Sequence, residues 1–141
     1  MNSGRSNQQI GAVMAGEKVD KRRFSLFPHD AGYVQVNWDE GLTATERDAS
    51  ELLESLAELS PSLCPPMLVR LNNMVSLRRS ALGAFASKLN VAALALVGPT
   101  AVDRTITTFF KEVDQPPYPT RYFENAVDAE RRLLDPGRHL L

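Results

Sequence analysis

The sequence predicts a single α/β domain with a mixed sheet of about five strands and helices packed against it. Three observations predict it. Val91-Ala-Ala-Leu-Ala-Leu-Val97 is a run of seven apolar residues without alternation, as expected of a parallel strand covered on both faces. Arg23–Phe27 and Tyr33–Trp38 alternate instead, with the turn cluster Pro28–Gly32 between them, which reads as an antiparallel hairpin. Beyond the hairpin, short apolar runs take turns with stretches at helical spacing, the pattern of successive βαβ crossovers.

Length and composition agree with one domain. The chain has 141 residues, 43% of them hydrophobic, enough for a core. With 16 basic and 17 acidic residues the net charge is −1, so no global field draws the chain to nucleic acid or an anionic membrane. The single cysteine, Cys64, rules out an internal disulfide and suits a reducing compartment. No apolar run approaches the roughly 20 residues of a membrane span. Met1–Gly16 lacks the apolar stretch of a secretion signal. A cytoplasmic protein is expected. Residues 1–20 read as a flexible lead-in, 21–135 as the domain and 136–141 as a tail. Val13–Ala15 is too short a run to assign, and the basic run Lys18–Arg23 reads as solvated.

The elements follow in order. In the second strand of the hairpin Val34, Val36 and Trp38 share one face, and Tyr33, Gln35 and Asn37 the other. Thr43 with Glu46 has capping-box spacing, and Thr45 is the alternative cap. Ala49, Leu52, Leu53, Leu56 and Ala57 then mark the inner side of a first helix, ended by Ser60-Pro61. Met67–Leu71 is the next strand. Leu77, Ala81, Phe85 and Leu89 mark a second helix, with Asn90 as a left-handed stop. After Val91–Val97, the residues Val102, Ile106, Phe109, Phe110 and Val113 form the apolar stripe of a third helix, which is assigned to the core. An aromatic left exposed there, beside Tyr118 and Tyr122, would mark a partner surface. Gln115–Pro119 breaks that helix, Thr120–Phe123 is a short strand, and Asn125 caps a last helix with Ala126, Ala129, Leu133 and Leu134 inward. The order is β-β-α-β-α-β-α-β-α.

That order, with the details of Met67–Phe85 and Val91–Leu134, resembles the STAS domain of anti-sigma-factor antagonists. The tail, with Asp103-Arg104, Phe109, Pro119–Phe123 and Ala129–Leu133, is similar to small bacterial proteins of the STAS/SEC14-like group. In the antagonists a strand leads to an Asp-Ser-Ser-Gly-like motif that opens a helix, and a partner kinase phosphorylates a serine there. Ungapped register from Met67–Leu71 places Arg78-Arg79-Ser80-Ala81 on that motif, with Arg78 for the acid and Ala81 for the glycine. The resemblance implies a STAS-like fold, a protein partner such as a kinase or regulator, and phosphorylation at Ser80, with Ser76 as the neighbouring candidate. A phosphate at a helix N-terminus meets free N–H groups, and Arg78 and Arg79 are placed to pair with it.

Other chemistry is sparse. Cys64 lies in a proline-flanked loop, and neither His29 nor His139 stands at a telling spacing to it. One cysteine and two histidines spell no metal site, and no cofactor motif is present. Glu46, Asp48, Glu51, Glu54 and Glu58 read as the solvated face of the first helix. Gly98-Pro99-Thr100 ends the central strand where open α/β sheets gather ligands. Thr100, Asp103 and Arg104 are binding candidates there, together with Asn72 and Asn73, but the glycines and lysine of a phosphate cradle are missing. The expected function is a non-enzymatic STAS-like regulatory or interaction domain that forms a homodimer or engages a protein partner. The alternative is a small-ligand or lipid carrier with a SEC14-like apolar pocket.

Overall fold

A computed structural model describes residues 19–20, 23–60 and 64–135. Its main sheet has six strands in the order β1-β2-β3-β5-β7-β8. They are β1 (Val19–Asp20), β2 (Phe24–Pro28), β3 (Val34–Trp38), β5 (Pro66–Arg70), β7 (Ala93–Val97) and β8 (Thr120–Phe123). The first three are antiparallel; β3, β5, β7 and β8 run parallel. The helices are α1 (Glu46–Leu59), α2 (Arg79–Lys88), α3 (Ala101–Phe109), continued by a π-helical turn Phe110–Asp114, and α4 (Ala126–Leu134). A second sheet pairs two short strands, β4 (Thr43–Ala44) and β6 (Ser76–Leu77).

The predicted hairpin forms, with Phe24 opposite Trp38 and Leu26 opposite Val36. Gly32 closes its turn at φ +109°, a conformation that a side chain would strain. The inner faces separate by alternation. Phe24, Leu26, Val34, Val36, Trp38, Met67, Val69, Leu94 and Leu96 pack under α1 and α2. Leu68, Ala93, Ala95 and Val97 face the other way, onto Ala129 and Leu133 of α4. Every residue of β7 is therefore buried, the reason its sequence shows no alternation. Alanines at 93, 95 and 129 let α4 lie close to the strands it covers. Truncating Leu94 or Leu96 to Ala would cost about 2–5 kcal/mol.

Several expectations are corrected. Val19–Asp20 pairs with β2 rather than belonging to a lead-in; the rest of 1–20, including Val13–Ala15, and the tail 136–141 lie outside the described residues. Arg23 is not simply solvated: its Nη2 donates to the Thr43 carbonyl at 2.8 Å, and its Nε lies 3.5 Å from Asp48. Asp48 is accordingly buried, not on the solvated face. Thr45, not Thr43, caps α1, and its box partner is Asp48 rather than Glu46; Thr43 belongs to β4. Ala57 is exposed, and Leu59 takes the inner position. Asn90 has no left-handed backbone, and α2 ends through extended Leu89. Leu134 is exposed on α4.

The largest correction concerns α3. Its inner residues are Asp103, Thr107 and Phe110, while Val102, Phe109 and Val113 lie exposed and Ile106 is half-buried. At 100° per residue the apolar stripe is rotated roughly a quarter turn from the buried side. α3 runs against β6 and β8, so Phe110 and Ile106 alone reach the main core.

Candidate functional site

The sequence candidates fall into two groups. The first is built on β6 and the start of α2. Val75 N–H donates to the Leu42 carbonyl, and Arg78 N–H to that of Ala44, both at 2.9 Å. These bonds and the β4–β6 pairing hold residues 75–78 in an extended strap. Ser76 is exposed on it and its hydroxyl donates to Thr43 Oγ1 at 3.2 Å. Arg78 is the N-cap residue of α2 and makes no side-chain cap bond. The first N–H groups of α2 are thus left without a side-chain acceptor, and exposed Ser80 sits within that first turn.

Beside the strap runs a groove of about 430 Å³ between β6, α2 and α3. Val75, Leu77, Leu82, Val102, Ile106 and Phe109 give it apolar walls; Ser76, Arg79 and Thr105 are its polar members. The Arg79 guanidinium lies over the Phe109 ring, 5.2 Å from the centroid, a cation–π contact across the groove. Sequence reasoning marked Ser76, Arg79 and Ser80 and raised an exposed aromatic of the Phe109–Phe110 pair as the alternative to core packing, but missed Val75 and Val102 as surface groups. Their signal was present in the polar residues Thr100, Asp103 and Thr107 on the neighbouring side of α3, which the structure turns inward or uses as a cap.

The second group stands at the carboxyl ends of β5 and β7. Asn72 and Asn73 adopt left-handed conformations at φ 57° and 60°, tolerable for asparagine. Asn72 donates to the Trp38 carbonyl at 3.1 Å, and Asn73 to Glu40 at 3.5 Å, so both tie neighbouring loops together. Thr100 caps α3 by accepting from Asp103 N–H at 3.1 Å. Arg104 pairs with Glu124 at 3.0 Å and stacks on Tyr122, 5.0 Å from the ring centroid. The Tyr122 hydroxyl donates to the Gly98 carbonyl in a short bond, and its pKa is raised, chiefly by burial, with Arg104 pulling it down. Asp103 is fully buried, and neither carboxylate oxygen has a hydrogen-bond partner. Its side chain packs on Gly98, where an added Cβ would come 2.6 Å from the Asp103 Cβ. Asn72, Asn73, Thr100 and Arg104 thus brace the strand ends, each bonded to partners other than Ser76, Arg79 and Ser80. Cys64 is exposed and unpaired. No group of three or more metal-binding side chains occurs among the described residues.

On the opposite side of the sheet, His29 stacks on Tyr33, and the Tyr33 hydroxyl donates to Glu130 of α4 at 2.9 Å. Under α1 and α2 the core contains an apolar void of about 40 Å³, bordered by Trp38, Met67, Leu82 and Phe85. No helix among the described residues is long and apolar enough to cross a membrane.

No curated protein matches the chain. Among solved structures, the chain is similar to an uncharacterised protein of the DUF3478 family with a SpoIIAA-like fold from Shewanella loihica PV-4. The two share 17% identity over 84% of this chain and 99% of that one, with a TM-score of 0.59. The fold is therefore SpoIIAA-like, the STAS-like architecture expected from the element order. The family model described as a domain of unknown function, DUF7793, matches residues 28–133, well over half of the chain, and the protein belongs to that family.

Proposed function

We propose that the protein is a non-enzymatic STAS-like interaction module that engages a regulatory protein or kinase through β6 and the start of α2, with phosphate on Ser80 or Ser76 as its switch. One observation carries this reading. α2 begins without a side-chain cap, on an exposed surface that holds Ser76, Ser80, Arg78 and Arg79 together. A phosphate on Ser80 would sit among free N–H groups at the positive end of the helix dipole. Arg78 and Arg79 would flank it. On Ser76 it would stand in the groove beside Arg79. Either position changes the charge of the surface by about −1.5 to −2.

The carrier reading has less support. A carrier pocket would lie between sheet and helices, where the apolar space beneath α1 and α2 is only about 40 Å³, against about 300–1,000 Å³ for the pocket of a drug-sized ligand; the groove of about 430 Å³ lies outside, between β6, α2 and α3.

The test is phosphorylation by the kinases of the protein's own cell, mapped by peptide mass spectrometry on the wild type and on Ser76→Ala and Ser80→Ala. Modification confined to these serines supports the switch. Absence of phosphate on both, with kinases active on a control substrate, removes it.

A further inference from the structure

We propose that the groove between α2 and α3 seats an acidic amphipathic helix of a partner protein, with the exposed stripe of α3 as the larger part of the footprint. This rests on the reading of the β6–α2 surface as a docking face, and it names what docks there. Val102, Ile106, Phe109 and Val113 recur at helical spacing along α3 and its π-helical turn. At 1.5 Å per residue the row is about 16 Å long, three turns of an opposing helix. Val102 is 48% exposed, Phe109 39%, Val113 46%, and Val75 across the groove 61%. A single exposed apolar residue is ordinary, but a row of them along a groove is the form of an interaction surface.

Charge selects the occupant. Arg79 lines the groove and Arg78 adjoins it, both exposed. Among the described residues neither has an acidic partner, and no carboxylate lines the groove. A helix that brings Asp or Glu beside its apolar row would give these arginines charge-assisted bonds. A second copy of the chain would instead carry its own Arg79 to a two-fold contact, with no acid to meet it. An anionic membrane calls for clusters of about 4–8 basic residues, more than this rim presents.

The test is a display library of helical peptides, selected for binding to the full chain. Binding is then measured on the wild type, Val102→Ser/Phe109→Ser and Arg79→Glu, each first shown to be folded by circular dichroism and denaturant unfolding. The expected peptides share an apolar row at i, i+3 or i+4, and i+7, flanked by Asp or Glu. Their affinity falls at least about tenfold on Val102→Ser/Phe109→Ser. It also falls on Arg79→Glu, and lysine in place of the flanking acids restores it there. Enriched peptides that are basic or neutral, or that bind Val102→Ser/Phe109→Ser unchanged, overturn the inference. If they depend on Arg79 but not on Val102 and Phe109, docking at β6–α2 stands and this inference falls. If no peptide binds any face, this inference falls, while the phosphorylation mapping decides the reading it rests on. A dimer in sedimentation, or binding to phosphatidylserine vesicles, that is abolished by Val102→Ser/Phe109→Ser also overturns it, since the seat would then belong to a second copy or to lipid.

Discussion

Arg79 of α2 lies over the ring of Phe109 on α3, 5.2 Å from its centroid, while the adjacent Phe110 is buried in the core. One helix thus presents one phenylalanine to the surface and its neighbour to the interior. Phe110→Ala should cost about 3–5 kcal/mol as a core truncation. Phe109→Ala loses an exposed cation–π contact of about 0.5–1 kcal/mol. Denaturant unfolding of the two variants checks the orientation of α3: equal losses would contradict it.

Glycine-to-alanine changes should have opposite signs at two positions. At Gly98 the new Cβ would meet the Asp103 Cβ at 2.6 Å, an overpacking that costs about 1–3 kcal/mol. At Gly83, inside α2, nothing lies within 4 Å of the new methyl group. There the substitution should stabilise by about 0.4–1 kcal/mol. Thermal or denaturant unfolding reads both.

The start of α1 rests on a reciprocal pair. The Thr45 hydroxyl accepts from Asp48 N–H, and Asp48 Oδ2 accepts from Thr45 N–H at 2.8 Å. Thr45→Ala should cost about 1 kcal/mol. Asp48→Ala should cost more, because it also strips the acidic partner from Arg23, whose Nε lies 3.5 Å away. The ordering of the two losses in chemical denaturation is the check.

Alkaline stability should report on Tyr33 and Tyr118. Burial is the first cause that raises both phenols above their ordinary 10.0, seconded by the hydrogen bond to Glu130 at Tyr33 and by the Asp114 charge at Tyr118. The native fold therefore holds these protons more tightly than the unfolded chain. Their contribution is complete below the unfolded value of about 10 and is lost as pH rises above it. Tyr33→Phe/Tyr118→Phe should flatten the fall in stability above pH ~10. A pH series of unfolding midpoints for both proteins measures it, and parallel curves would contradict it.

The sheet was the legible part of this chain. β7 showed both-face burial as an unbroken apolar run, and the hairpin showed itself through alternation on both sides of the turn at Gly32. Two-residue strands such as β4 and β6 carry no periodicity, so the strap that positions Ser76 was invisible. Asp48 looked solvated because its partner, Arg23, approaches from the far side of the hairpin. α3 was misread for a different reason. A helical wheel locates an apolar stripe but not what lies opposite it, and here Thr107 and Asp103 turn inward while Val102 and Phe109 turn out. Ser80 and Arg79 could be singled out from the sequence, but the groove beside them depends on that rotation.

Docking through the β6–α2–α3 surface is tested most directly by photo-crosslinking in the protein's own cell. A photoreactive phenylalanine analogue would be placed at Val75, at Val102 and, on the other side of the sheet, at Val127, which is 66% exposed on α4. Docking through this surface requires protein-sized adducts from positions 75 and 102, lost on Arg79→Glu, and none from position 127. Adducts from position 127 alone, or from no position, would contradict it.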